Sequence, residues 1–521
     1  MKKISFYITM GLLVAATTGC NRYLDKLPDN RTVIATPEQV TQLLTTAYPR
    51  ANYITFCEAM TDNAEDKKSP TSDLQNMQPY KYQDVQSTFT DSPEFYFHAC
   101  YTAIAAANQA LEYCNGPDSL SYRAQKGEAL VCRAYAHFML TLLFAKNYDP
   151  STASGDPGVP YVTTVEKNVW VNYSRGTVQK DYDMIERDLV AGIPLLQDKI
   201  YGDAPKFHFT QVAANAFAAR FYLFKRDYAK VVDYTTAILG PVTITANTVN
   251  TTVANMLRNW NGTSTTTIPP GYSASTLGYY GLQALYTQAS EPSNLLLQET
   301  ESNWGTKFPA YRFGLGITVY ALFSGTLPTP ANTSTSSPLS VGYWMYGSDP
   351  QVYNQPKFWD NFIPNGLNSS VGTYYNVIPL LSMEEVLLNR AEALTRLGQL
   401  VPALNDLQTW TSKNVISYSA TTNRLTAANM ANAQCNLVPA DGSAAVPVTD
   451  SLNLMLNTCL YFKRASYLFE GLRWFDIKRL NIPVTHKTND GFTTVLVPDD
   501  KRRLLQLPQE VQQAGLALNP R

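Results

Sequence analysis

Charge is scarce in this chain. Of its 521 residues, 16% are Asp, Glu, Lys or Arg, against roughly a quarter in ordinary soluble domains. Lys and Arg number 41, Asp and Glu 42, and the formal net charge is −1. Without a basic excess nothing draws a phosphate backbone, so nucleic acid is excluded as a partner. There is no acidic tail either. Histidine is rarer still: His98, His137, His208 and His486 are scattered. No HExxH, G-x-S-x-G or Walker loop occurs. No two cysteines form a CxxC, which removes the usual zinc arrangements. Asp62-Asn63-Ala64-Glu65-Asp66 is acidic, yet it lacks the spacing and glycine of a calcium loop and reads as a solvated turn. No cofactor is expected. The leading apolar stretch, Ile4 to Ala16, is shorter than the roughly 20 residues a membrane-spanning helix requires.

That stretch is nevertheless informative. Lys2 and Lys3 precede it, and Thr17-Thr18-Gly19-Cys20 follows. A short cationic and apolar leader ending in small residues is a secretory signal. A cysteine directly after the glycine predicts a bacterial lipoprotein: residues 1–19 are removed, and Cys20 carries lipid and starts the mature chain. Thr17 stands where such sites usually have Leu, so an ordinary cleaved signal is the alternative. The six other cysteines are Cys57, Cys100, Cys114, Cys132, Cys435 and Cys459. An extracytoplasmic site permits disulfides, but sequence does not give their pairing. Cys100, Cys114 and Cys132 fall in helical patterns and read as small buried hydrophobes.

Apolar residues recur at helical spacing in Ala103–Cys114, Tyr122–Phe144, Val178–Leu196, Thr210–Leu239, Ser382–Trp410 and Leu452–Leu480. Two of these look like paired helices. Met383–Trp410 has small Ala391, Ala393 and Ala403 around a turn at Leu397-Gly398-Gln399, and Val212–Leu239 repeats the layout around Arg226-Asp227-Tyr228. Small residues let two helices approach closely, as in tetratricopeptide repeats. Glu128–Tyr148 reads as a third, poorer copy. The expected fold is mainly α, with tetratricopeptide-like helical pairs scaffolding an irregular loop-rich half.

That half is the stretch 241–375, where Thr, Ser, Asn, Gly and Pro dominate with aromatic residues interleaved. So long a stretch without periodicity is usually functional. A second polar insertion spans 417–448. Tyrosine is abundant, with 33 copies. A Tyr or Trp ring in a polar loop offers an apolar face with a polar edge, suited to neutral ligands rich in hydroxyls or amides. Most such rings are core; a polar setting shifts the balance. Tyr80, Tyr82, Tyr280, Trp304 and Trp344 are the candidate ligand-binding residues on this ground.

Three stretches carry a resemblance. Cys20-Asn21-Arg22-Tyr23-Leu24-Asp25-Lys26-Leu27-Pro28, Glu385 to Ala393 (EVLLNRAEA) and Phe469 to Arg479 (FEGLRWFDIKR) resemble the lipidated start, the AEA helix and the FEG block of the SusD/RagB family of Bacteroidetes outer-membrane lipoproteins. Leu507-Pro508 and Asn519-Pro520 fit its ending, while Lys463-Arg464 stands where the family usually has Glu-Arg. The resemblance implies a lipidated tether over 20–36 and one SusD-like domain over 37–521. Its helical scaffold would occupy about 37–240 and 376–480, with a tail over 481–521. It also implies a non-enzymatic role: capture of oligosaccharides, or in some members oligopeptides, for a SusC-type TonB-dependent outer-membrane barrel. The family's ligand residues share no motif and cannot be carried over.

Within the FEG block, Glu470 and Arg473, like Asp476 and Arg479, are spaced i,i+3 and read as helix braces. The competing readings are a secreted glycoside hydrolase and a scaffold binding proteins only. A hydrolase needs two carboxylates across a sugar-sized gap. Asp62, Glu65, Asp66, Asp84 and Glu94 are available, and nothing marks a pair.

Overall fold

A computed structural model describes residues 36–521 apart from 117–118, 168–171, 259–282, 284–285, 308–309, 317–318, 320–329, 331–338, 340–343, 347–351, 356, 359, 368, 416–417 and 433–449. The longer helices are α1 (Pro37–Leu44), α2 (Pro93–Cys114), α3 (Arg123–Phe144), α4 (Val178–Gly192), α5 (Gln211–Lys225), α6 (Tyr228–Leu239), α7 (Met383–Arg396), α8 (Leu400–Asn414), α9 (Ser451–Ser466) and α10 (Leu472–Arg479). Side-chain oxygens cap many of their starts. Ser92 accepts from Phe95 N, Thr177 from Lys180 N, Thr210 from Ala213 N, and Ser382 from Glu385 N, each satisfying an amide with no partner in the first turn. Among the described residues no helix is long and apolar enough to cross a membrane.

The helices pack as successive antiparallel neighbours: α2 on α3, α3 on α4, α5 on α6, α6 on α7 and α7 on α8. The α5–α6 turn uses Arg226 at φ 64°, and the α7–α8 turn uses Gly398 at φ 73°, so both expected pairs are present. The third expected copy is corrected: Glu128 to Phe144 lies within the single helix α3, whose neighbours are α2 and α4. Gly127 and Gly192 let α3 and α4 meet. A Cβ on either would lie 2.9 Å from the other's carbonyl oxygen.

Helix α3 is the axis of the scaffold, and every residue from Gly127 to Phe144 is buried. Its buried charged residues are therefore paired, as buried charges must be. Arg133 makes a two-pronged contact with Asp188 (2.7 and 3.0 Å), and Glu128 accepts from Tyr48 Oη (2.7 Å). His137 accepts from Val162 N at 3.0 Å, and burial holds its pKa down at about 3. The last carbonyls of α3 have no helical partner and are met from far along the chain. Lys478 Nζ donates to Leu142 O and Ala145 O, Leu505 N to Leu143 O (3.1 Å), and Asn519 Nδ2 to Phe144 O (2.8 Å). Cys57, Cys100, Cys114, Cys132 and Cys459 are buried and free; Cys435 lies outside the described residues.

Short antiparallel sheets complete the fold around the helices. Strand β2 (Asn294–Glu301) pairs with β7 (Gly372–Ser382), which also pairs with β6 (Asp360–Pro364). Strand β1 (Ala64–Asp66) pairs with β3 (Phe313–Leu315), β4 (Trp344–Tyr346) with β5 (Val352–Asn354), and β8 (Val484–Lys487) with β9 (Thr493–Leu496). β7 runs straight into α7, with Ser382 ending the strand and capping the helix.

Candidate functional site

Three of the candidate rings are buried. Tyr80 is 1% exposed; its ring stacks on Phe313 (centroids 4.2 Å apart) and on His486 (4.1 Å), and its hydroxyl donates to Lys487 O at 2.8 Å. Tyr82 stacks on His486 at 5.0 Å and lies 6.4 Å from Trp474. Phe313, Tyr80, His486, Tyr82 and Trp474 thus form one continuous column of rings. Trp304 is 3% exposed and rests against Tyr311. Stacking on a ligand needs a free ring face. The expectation that Tyr80, Tyr82 and Trp304 stand exposed is therefore corrected. The reason is local: Leu74–Tyr80 is a helix against β3, and Trp304 opens a helical turn, Trp304–Lys307. Trp344 sits on β4 opposite Asn354, with its ring outside the described residues, as are Tyr280 and Cys20.

The FEG block is internal wiring. The expected helix Leu452–Leu480 breaks into α9 and α10, because Phe469 (φ 65°) and Gly471 (φ 69°) take left-handed backbone. At Gly471 a Cβ would press on Ile54 and Cys57 at 3.1 Å. The buried Glu58 carboxylate accepts from Phe469 N (3.3 Å) and Gly471 N (3.1 Å). Burial pushes the Glu58 pKa up to about 7. Glu470 precedes α10, and the expected brace to Arg473 is replaced. Glu470 accepts from Lys357 Nζ at 2.6 Å and from Tyr286 Oη, while Arg473 grips Asp62 with two contacts of 3.0 Å. The second brace stands: Arg479 Nε donates to Asp476 at 2.8 Å. Glu392 of the AEA helix accepts from Lys463 (2.6 Å) and twice from Arg479 (2.7 Å), and these cations hold its pKa well below the usual carboxylate range against the cost of burial. Of the early carboxylates, Asp66 pairs with Arg312 (2.6 Å) and Asp84 with Arg521 (2.7 Å). Both are held by cations within the fold.

A different surface presents less buried rings. The β6–β7 hairpin projects beyond the core, so residues 372–375 of β7 are half-exposed on both faces. Cross-strand partners share a face. Tyr375 therefore stands between Glu301 of β2 and Asn361 of β6, and the Arg50 guanidinium lies 5.8 Å from its ring centroid. On the opposite face Tyr374 packs against Phe362 at 4.8 Å. The segment 83–91 is drawn to the same strand end: Thr90 Oγ1 donates to Glu301 at 3.0 Å, and Ser302 Oγ to Asp91 at 2.6 Å. Asp91 also accepts from Asn303 N at 2.8 Å; burial raises its pKa to about 6. This mooring holds Phe89 out at 76% exposure. Phe89, Tyr375, Asn361 and Glu301 combine ring faces with carboxylate and amide groups that can bond hydroxyls.

Scaffold and surface together define a mainly helical protein whose paired helices carry a loop-borne surface of rings and polar groups. Residues 22–223 match a SusD-like family model described as "Starch-binding associating with outer membrane". A SusD superfamily protein from Bacteroides thetaiotaomicron VPI-5482 shares the fold (TM-score 0.62, 16% identity), the match covering 94% of this chain and 100% of that one. A SusD-like carbohydrate binding protein from Bacteroides vulgatus ATCC 8482 does so too (TM-score 0.62, 14% identity, 92% and 97% covered), as does a SusD superfamily protein from the same organism (TM-score 0.60, 16% identity, 94% and 99% covered). Over residues 22–223 the chain is similar to the SusD-like family, and its fold is that of the SusD superfamily structures. No curated protein matches it.

Phe89 and Tyr375 were not among the sequence candidates. Phe89 was legible: Ser87-Thr88-Phe89-Thr90-Asp91 is a ring in a polar run, the criterion applied to Tyr and Trp alone. Tyr375 had no such signal, since its exposure depends on how far the hairpin extends past the core.

Proposed function

We propose that this protein captures oligosaccharides outside the cytoplasm and delivers them to a SusC-type TonB-dependent outer-membrane barrel. Residues 1–19 would be its signal, Cys20 its lipid anchor, 20–36 its tether and 37–521 its single domain. The observation that carries the reading is the half-exposed aromatic and polar surface at the β6–β7 hairpin and segment 83–91, on a SusD-type fold. The matched family's description and the carbohydrate-binding relative support the ligand class. Ring faces at Phe89 and Tyr375 would stack on sugar rings, and Glu301 and Asn361 would bond their hydroxyls. Affinity would come from several modest contacts.

Calorimetry of the purified chain against a panel of neutral oligosaccharides and oligopeptides tests this. Saturable heat with glycans, lost in Phe89→Ala and Tyr375→Ala, is the expected result. Binding confined to peptides moves the ligand class; cleavage of the glycans makes the protein a hydrolase. Copurification of a barrel with wild-type protein, and release of Cys20→Ala from the membrane fraction, test the partner and the anchor.

A further inference from the structure

Segment 82–94 and the tail enclose a cavity of about 360 Å³ lined by Met60, Tyr82, Pro93, Leu507 and Leu518, among others. Three side chains with metal-ligating atoms gather beside it. Glu94 and His98 are four residues apart on α2 and so share a face; Glu94 and Glu510 also line the cavity. Glu510 arrives from the short helix Gln509–Gln513, more than 400 positions away in sequence. One ligand atom from each lies within 4.8 Å of the other two, and His98 Nε2 is 2.8 Å from Glu510 Oε1. We propose that Glu94, His98 and Glu510 bind a divalent transition-metal ion of the zinc type, which clasps the tail to α2 and keeps an open coordination position.

The chemistry selects the ion. One imidazole nitrogen and two carboxylate oxygens suit zinc and its neighbours. Calcium and magnesium prefer shells of oxygen alone. The spacing Glu94-x-x-x-His98 is the i,i+4 arrangement by which one helix face supplies two ligands. A tetrahedral zinc with bonds of about 2.0–2.1 Å sets its ligand atoms roughly 3.3 Å apart. The side chains of His98 and Glu510 are about half exposed, at 49% and 57%, and can close from 4.8 Å by rotamer change. The two carboxylates carry like charge, with a ligand atom of each within 4.8 Å of the other, and so repel. A cation between them removes that repulsion. A solvated His98–Glu510 ion pair would not require Glu94, whose first-turn position on α2 also serves the helix N-terminus; dependence of metal binding on Glu94 separates the two readings.

The test is calorimetric titration of the metal-stripped, untagged full chain with zinc chloride, with calcium and magnesium chlorides in parallel. The expected result is one zinc site per chain, no comparable calcium or magnesium binding, and a melting temperature that rises with zinc. Glu94→Gln, His98→Ala and Glu510→Gln should each weaken zinc at least tenfold while melting like wild type in chelator. No zinc binding, or zinc binding unchanged by all three substitutions, overturns the proposal. An unchanged affinity in Glu94→Gln alone reduces the cluster to an ion pair and overturns it too. Glycan binding is measured separately and plays no part in the result.

Discussion

Two sets of aromatic residues lie within this fold, and only their surroundings tell them apart. The column Phe313, Tyr80, His486, Tyr82 and Trp474 comes from four separate stretches and is shut inside. Phe89 and Tyr375 lie on a loop and a projecting strand, moored by polar contacts, with Phe89 open to water and Tyr375 partly so. The column joins the β1–β3 sheet, the β8–β9 hairpin and the FEG helix; the surface set joins nothing. Ring chemistry is therefore a poor guide to role, and the contacts of the ring's faces are a good one.

The contrast can be broken from either side. The largest effect should come from Tyr80→Ala. Removing the ring opens a cavity between Phe313 and His486 and should cost about 3–5 kcal/mol, read from urea unfolding. Ligand affinity of the folded fraction should not change; a lost ligand with intact stability would return Tyr80 to the binding surface. Next comes Arg473→Ala. Asp62, its side chain 12% exposed, then keeps Arg464, 3.4 Å away, as its remaining cation. The expected loss is about 3 kcal/mol. Arg50→Ala, which removes an exposed pair with Glu299, should cost under about 1 kcal/mol.

Buried carboxylates sharpen the comparison through pH. Glu58 titrates near 7 in the fold against an ordinary 4.5, and Asp91 near 6 against 3.8. A raised carboxyl pKa means the folded state binds the extra proton. The stability tied to Glu58 is thus complete below pH 4.5 and lost as pH rises through 7. Asp66 behaves oppositely: Arg312 and two backbone amides hold it at about 2 against burial, so its contribution is present above 3.8 and lost as pH falls through 2. Glu58→Gln should flatten the fall in unfolding free energy between pH 4.5 and 7. A slope unchanged by the substitution would assign that fall to other groups.

The smallest stability effect belongs to the surface rings. Phe89→Ala should change unfolding by less than about 0.5 kcal/mol and weaken glycan binding roughly tenfold, about 1–2 kcal/mol. Binding should vary little with salt if the ligand is the neutral glycan proposed. Equal affinity in Phe89→Ala and wild type would move the site elsewhere.

The scaffold was legible where periodicity and small residues act locally. Ser382, Gly398 and Ala391 mark the α7–α8 pair within 30 residues of sequence. The left-handed phenylalanine at the break was hidden, since Glu58, some 400 residues upstream, holds it, and the local signal was Gly471, a glycine that can end a turn. The same distance concealed the fate of Tyr80 and Tyr82. The run Asn76 to Asp84 looks polar, and the partners that bury its rings are Phe313 and His486. Arg473 was read correctly as structural with the wrong acid, because spacing names a neighbour on an ideal helix and the helix starts only at Leu472. The candidate surface was the least legible part. Exposure of Tyr375 follows from sheet length and the register of β6 on β7, which composition does not encode.

The donors to the end of α3 carry a consequence for the order of events during biogenesis. Leu142, Leu143, Phe144 and Ala145 wait on Lys478, Leu505 and Asn519. A chain emerging from the ribosome has made the central helix long before it has made the groups that finish it. Until residue 519 arrives, that helix end keeps its carbonyls open to water and cannot be sealed in the interior. Completion of the fold is thereby coupled to completion of synthesis, which would suit the export proposed for this chain, since an exported polypeptide must stay loosely structured while it crosses a membrane.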